Sequence, residues 1–113
     1  MLFYLAPMEG ITGYIVRNAY AHYFPYIDKY FTPFIPAAKK KKKKIKRDLA
    51  AENNEQIRLV PQLIGNRADE FLMMIRQLEE LGFTSVNLNF GWPSGTVVSK
   101  RTGAGFLADP KEL

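Results

Sequence analysis

The sequence predicts an α/β protein in which short parallel strands alternate with helices. Two observations indicate this class. Apolar runs of strand length recur along the chain, and segments with helical periodicity or turn residues separate them. Such alternation is typical of βαβ units, which form a parallel sheet. The 113 residues accommodate about four units.

The first unit combines an apolar strand at residues 2–5 with a helix. Pro7 and Gly10 interrupt regular pairing after the strand. Thr12 is the expected N-cap of a helix that runs to about Tyr23. An apolar stripe is predicted on this helix, formed by Ile15, Val16, Ala19 and Tyr20.

The second strand is expected near residues 29–34, and a basic loop at about 37–47 follows it. Residues 58–64 read as the third strand. Pro61 lies inside this run and predicts a strand end or a bulge, because proline has no N–H for the ladder.

The strongest helical pattern of the chain spans residues 68–81, and Gly82 follows as a C-cap. A short fourth strand is expected at 84–88, a turn at 89–93, and a further helix from Asp109. The helical spacing predicts an apolar face, formed by Phe71, Leu72, Ile75, Leu78 and Leu81.

The net charge of +5 is concentrated in one segment. Half of the 16 basic residues lie in this segment, namely Lys39 to Lys44, Lys46 and Arg47. The other 8 basic residues are outnumbered by the 11 acidic residues of the chain. A local patch of this kind suits a loop that contacts phosphate groups. Lysine runs of this kind more often form solvated loops without a binding role.

Composition excludes several other classes of function. The chain has no cysteine, which rules out disulfides and thiolate metal sites and fits a cytoplasmic protein. We expect no membrane span, since no apolar stretch approaches the ~20 residues required. No cluster of His, Asp or Glu has metal-ligand spacing, so no metal is predicted.

Unusual residues follow three of the predicted strands, at positions 6–10, 62–66 and 89–93. The carboxyl ends of parallel strands share one rim, where α/β proteins carry their functional groups. Residues such as Gln62 and Asn89 are not needed for a core, so together these segments indicate a site.

The same segments carry a family resemblance. Residues 6–12 resemble the opening A-P-M-x-G-x-T of the tRNA-dihydrouridine synthase family, and 60–62 resemble its third-strand glutamine motif. Residues 87–94 resemble its N-x-G-C-P-S signature, and 100–107 its K-x-x-G-A-G-x-L stretch.

The resemblance implies a (β/α)₈ TIM barrel that binds FMN and reduces uridine in tRNA to 5,6-dihydrouridine with NADPH. Residues 1–113 would form its N-terminal part, as a partial catalytic domain. Pro7, Met8 and Glu9 would run along the flavin ring through backbone contacts, and the amide of Gln62 would form hydrogen bonds with the polar edge of that ring. Asn89 would face the flavin and the uracil.

At one position the chain departs from this pattern. The cysteine that protonates the base in the family falls at Trp92, and an indole is not a useful general acid. Lys100 and Arg101 are candidate contacts to tRNA phosphates. Because a proton donor and the phosphate-binding loops are missing, we expect this chain alone to be inactive.

Two other functions compete with this hypothesis. One is a different FMN-dependent barrel oxidoreductase, similar to dihydroorotate dehydrogenase. The other is a non-catalytic RNA-binding fragment that uses the lysine run.

Overall fold

A computed structural model of the chain describes residues 1–37, 43–108 and 111. The strands are β1 (Tyr4–Leu5), β2 (Lys29–Phe31), β3 (Ile35–Pro36), β4 (Leu59–Val60), β5 (Gln62–Ile64) and β6 (Asn87–Leu88). The helices are α1 (Tyr14–Tyr23), α2 (Lys43–Leu49), α3 (Ala68–Glu80) and α4 (Gly95–Val98), with 3-10 turns at Ala51–Asn53 and Gly103–Ala108.

All strand pairs are parallel, which confirms the predicted class. One set of strands has the order β1-β2-β4 and the other β3-β5-β6. Since β2 and β3 are successive pieces of one pass of the chain, as are β4 and β5, four passes lie side by side in order of sequence. Within the described residues these passes form no closed barrel.

Pro61 separates β4 from β5, as its position in the sequence predicts. Its N–H is missing, but its carbonyl still accepts from the N–H of Asn87 at 2.8 Å. The N–H of the next residue, Gln62, donates a hydrogen bond to the hydroxyl of Thr32 at 3.0 Å. A side chain therefore replaces the ladder partner where the sheet splits.

The core lies between α3 and the second set of strands. Phe71, Met74 and Leu78 face inward from α3 and pack with Leu63 of β5. Gly82 has φ +91° and donates to the carbonyl of Glu79, so the predicted C-terminal cap is confirmed. The expected burial of Leu72 and Leu81 is wrong, because both are exposed beyond the inward stripe.

The prediction for α1 is wrong in two respects. The N-cap is Gly13, while the Thr12 hydroxyl is bonded to the backbone of Met8. The apolar stripe faces solvent, and the side chain that α1 buries is Arg17. The reason is an ion pair with Asp48, which turns Arg17 inward and rotates the apolar face outward.

The basic segment is only partly the loop that the sequence predicts, because Lys43 to Arg47 belong to helix α2. The rest of the lysine run before Lys43 and the helix expected from Asp109 lie largely outside the described residues. Among the described helices, none is long and apolar enough to cross a membrane. The described residues also contain no group of three or more potential metal ligands from His, Cys, Asp and Glu.

Candidate active site at the strand ends

A row of amide side chains joins the third and fourth passes of the chain. Gln62 donates from Nε2 to Oδ1 of Asn87 at 2.8 Å and accepts on Oε1 from Nδ2 of Asn89 at 3.0 Å. All three residues are half-buried. Each primary amide has two N–H donors, so each keeps hydrogen-bonding capacity beyond the row. The row is thus an ordered polar edge that can receive a heterocycle.

Asn89 also shapes the turn that follows β6. Its Oδ1 accepts from the N–H groups of Gly91 and Trp92, both at 3.1 Å. The carbonyl of Trp92 in turn accepts from the N–H of Ala104 at 3.0 Å. Asn89 therefore fixes the backbone of Trp92 relative to the amide row.

The side chain of Trp92 lies at the surface and contacts one other aromatic ring. It is 36% exposed, and its ring centroid is 5.8 Å from that of Phe34, which follows β2. Gly103 makes the close approach of the later chain possible. Its φ is +52°, and a Cβ there would lie 2.6 Å from the carbonyl oxygen of Trp92.

The turn after β1 is held by its own hydrogen bonds. The N–H of Met8 donates to the hydroxyl of Thr12 at 2.7 Å, and its carbonyl accepts from the N–H groups of Ile11 and Thr12. Both backbone groups of Met8 are therefore committed within the turn. Its side chain is exposed, as is that of Glu9, whereas Pro7 is half-buried.

Beneath this turn lies a buried ion pair. Arg17 is fully buried and donates from Nη1 to the carbonyl of Thr12 at 2.9 Å and to Oδ2 of Asp48 at 3.0 Å. Its Nη2 donates to the carbonyl of Asp48 and to Oδ1 of Asn54. Asp48 uses its other oxygen to accept the N–H of Tyr14 at the start of α1, at 2.7 Å.

The Arg17 network supports the site, and the sequence analysis missed it. Helical periodicity assigns Arg17 to solvent, and Asp48 is 31 residues away. No local signal connects them. Asn87 was missed for a related reason, because its partner lies on the neighbouring pass of the chain.

A cleft of about 420 Å³ opens between the first turn, the start of α1 and helix α2. Its lining includes apolar side chains and several charged ones, among them Ile11, Ile15, Phe34, Ile45, Glu9, Lys44, Arg47 and Asp48. The cleft thus places the basic helix next to Phe34, the ring that contacts Trp92.

The structure brings together only part of the predicted site. Gln62, Asn89 and Trp92 are joined by hydrogen bonds. Lys100 and Arg101 are exposed, and this segment is held near β5 because Nδ2 of Asn66 donates to the carbonyl of Lys100 at 3.2 Å. None of the hydrogen bonds found among the described residues joins the Met8 turn directly to the amide row.

The fold and the site define a parallel α/β protein with polar side chains at the carboxyl ends of its strands. In proteins of this class, substrates and cofactors bind at that end of the sheet. The chain belongs to the dihydrouridine synthase family, whose pattern it matches over residues 4–113. This confirms the resemblance noted in the sequence.

Individual relatives agree with the family. A tRNA-dihydrouridine(20/20a) synthase of Vibrio parahaemolyticus is 35% identical over 66 residues, which are 58% of this chain and 20% of the relative. A probable tRNA-dihydrouridine synthase of Staphylococcus epidermidis is 27% identical over 113 residues, 96% of this chain and 34% of the relative. The chain thus spans about a third or less of these relatives.

Proposed function

We propose that residues 1–113 form the first four βα units of a (β/α)₈ barrel that acts as a tRNA-dihydrouridine synthase. The reaction is the reduction of uridine in tRNA to 5,6-dihydrouridine with FMN and NADPH. The hydrogen-bonded row of Gln62, Asn87 and Asn89 carries this proposal, together with the family match. The sequential order of four parallel passes is what the first half of such a barrel requires.

The residues at the rim fit one part of a flavin. The family is generally flavin-dependent, and the bound cofactor supplies hydride chemistry that side chains lack. Gln62 and Asn89 each retain an amide N–H that can point to the polar edge of an isoalloxazine ring. The exposed side chain of Met8 offers an apolar, polarisable contact for the ring face.

Other parts of a barrel bind the phosphate group of the cofactor. In this fold the phosphate site is built by the loops after strands seven and eight. We therefore expect the four units on their own to hold FMN weakly and to be inactive. The proposed contributions of this chain are orientation of the ring and shaping of the uracil pocket.

Trp92 occupies the position of the proton donor in the family signature. Its indole N–H donates hydrogen bonds but does not ionise usefully near neutral pH. The loss of a general acid typically lowers the rate by ~10²–10⁴-fold. The ring is also much larger than a thiol, and Asn89 fixes its backbone, so it should restrict the space for a base at the amide row.

Lys100 and Arg101 are the proposed contacts to tRNA phosphates from the segment after α4. Both are exposed, and Arg101 has φ +54°, which is uncommon for a residue other than glycine. The family match disfavours the dihydroorotate dehydrogenase-like alternative. An RNA-binding role without catalysis is separated from the enzyme by the following experiment.

The test uses a chimera in which this chain replaces the matching third of the Staphylococcus epidermidis relative, in Trp92 and Trp92→Cys forms. Each chimera is incubated with NADPH and unmodified tRNA, and dihydrouridine is measured by mass spectrometry of nucleosides. Both forms should retain flavin and be reduced by NADPH, since neither step needs the acid. The Trp92→Cys form should make at least ~10²-fold more dihydrouridine.

The intact relative serves as the positive control. Equal product from the two chimeras would show that the acid lies elsewhere. A chimera that holds flavin and accepts reducing equivalents, yet forms no product in either version, would contradict the proposed function.

A further inference from the structure

We propose that Phe34, Trp92 and the basic face of α2 form a docking surface for a single-stranded RNA segment. An unstacked base would lie against the two aromatic rings, outside the space at the amide row that Trp92 restricts, and its neighbouring phosphates would meet Lys44 and Arg47. This deepens the proposed function and rests on it only for the identity of the natural polymer, tRNA. We call these four residues the aromatic-basic surface.

The aromatic half of the surface consists of two rings held by different parts of the chain. Their centroids are 5.8 Å apart with planes inclined by 52°, so the rings form an angled wall and not a closed stack. Trp92 is 36% exposed and therefore presents indole area to solvent. Exposed aromatic faces are the elements on which proteins stack nucleic acid bases.

The basic half lies on α2, whose sequence from Lys43 to Leu49 contains four cations and one carboxylate. Lys44 and Arg47 are three residues apart, on one side of the helix, and both line the cleft. The carboxylate, Asp48, already neutralises the buried Arg17 and accepts the N–H of Tyr14. Its negative charge is therefore not available to repel a phosphate.

Phe34 joins the two halves, because it lines the cleft with Lys44 and Arg47 and also contacts Trp92. The cleft volume of about 420 Å³ falls in the range of ~300–1,000 Å³ that is usual for small-molecule sites, so it has room for a nucleotide. Glu9 adds one exposed carboxylate to the lining. The two cations Lys44 and Arg47 outnumber this carboxylate in the lining.

The combination of rings and cations favours RNA in single-stranded form. Bases within a helix are not free to stack on a side chain, whereas bases of loops and ends can be splayed out. A surface that recognised only negative charge would not need the exposed indole. An acidic peptide is the competing occupant and is included in the experiment.

Trp92 is the sole tryptophan of the chain, so its fluorescence reports on this surface directly. The probe is an oligouridylate of about eight nucleotides, within the ~4–16 nucleotides that such sites cover. It is titrated into the full chain without flavin or NADPH, at several salt concentrations. We expect saturable quenching, and an affinity that falls as salt rises because bound counterions are released.

The variants separate the two halves of the surface. Lys44→Gln/Arg47→Gln should lower the salt-dependence slope by up to about 1.4, at ~0.7 per phosphate contact on single strands. Phe34→Leu should weaken binding on the order of 10-fold while leaving that slope unchanged. The matched control, Arg58→Gln/Arg76→Gln, removes the same charge from exposed positions outside the surface and should bind like the original chain.

Several results would overturn the proposal. One is binding without a change in Trp92 fluorescence, and another is equal weakening by the two double variants. Equal quenching by heparin or oligoglutamate would show that bases are not recognised. The titration measures binding and not the reduction of uridine. If oligouridylate does not bind but the chimera makes dihydrouridine, only the aromatic-basic surface is contradicted. If oligouridylate binds as expected but the chimera makes no dihydrouridine, only the proposed enzyme activity is contradicted.

Discussion

Replacing Asp48 with alanine should destabilise the fold more than any exposed charge removal, because it leaves the guanidinium of Arg17 buried without a counter-ion. Arg17 is 0% exposed, and its Nη1 lies 3.0 Å from Oδ2 of Asp48. The substitution also removes the oxygen that accepts the N–H of Tyr14 at the start of α1.

Breaking a buried ion pair from one side typically costs about 3–5 kcal/mol. Loss of the acceptor for the Tyr14 N–H adds roughly 1 kcal/mol, the usual value for a helix N-cap. Two features reduce the total. Arg17 keeps hydrogen bonds to Thr12 and Asn54, and the Asp48 side chain is 18% exposed, so water can enter. We therefore expect a loss near 3 kcal/mol, the lower end of the range.

The assay is urea denaturation, followed by circular dichroism, of the original chain and of Asp48→Ala. The matched control is Asp69→Ala, which breaks an ion pair with Arg67 whose side chains are both more than half exposed and should have a far smaller effect. The double variant Arg17→Met/Asp48→Ala should recover part of the loss, since it removes the buried charge as well. Equal losses for Asp48→Ala and Asp69→Ala would refute the assigned role of the buried pair.

Two further predictions concern stability. Gly103→Ala should lower the free energy of unfolding more than Gly10→Ala in the same denaturation assay. Both positions have positive φ, but of the two only Gly103 would bring a Cβ against the backbone, 2.6 Å from the Trp92 carbonyl oxygen. Similar losses for the two variants would contradict this contact. Burial raises the pKa of the Tyr30 hydroxyl above its ordinary 10.0, with a smaller effect from Tyr20. The unfolded chain then loses this proton first, so stability should fall as pH rises above about 10. Tyr30→Phe should weaken this decline, as measured by thermal melts across that range. It should not lower stability at neutral pH, because the buried hydroxyl has no hydrogen-bond partner among the residues that the structure describes. If the stability of Tyr30→Phe falls with rising pH as steeply as that of the original chain, another titrating group causes the decline.

Much of the site was predictable because its residue types are unusual where they stand. Gln62 and Asn89 follow apolar strands, where a core has no use for amides, and the rim of a parallel sheet collects such residues. Their mutual hydrogen bond was not predictable, nor was the part played by Asn87. Both depend on the register in which Gln62 pairs with Asn87, and residue spacing within one segment does not contain that register.

The sequence by itself determined α3, its glycine cap, the interruption at Pro61 and the parallel class, because each follows from periodicity or backbone chemistry within a few residues. Only the tertiary structure decided which face of α1 is buried. A hydrophobic stripe indicates the inward face when apolar contacts dominate, but here Asp48 supplies a stronger constraint from 31 residues away. Tertiary structure likewise placed Trp92 against Phe34, since these rings follow different strands and meet only when the passes align.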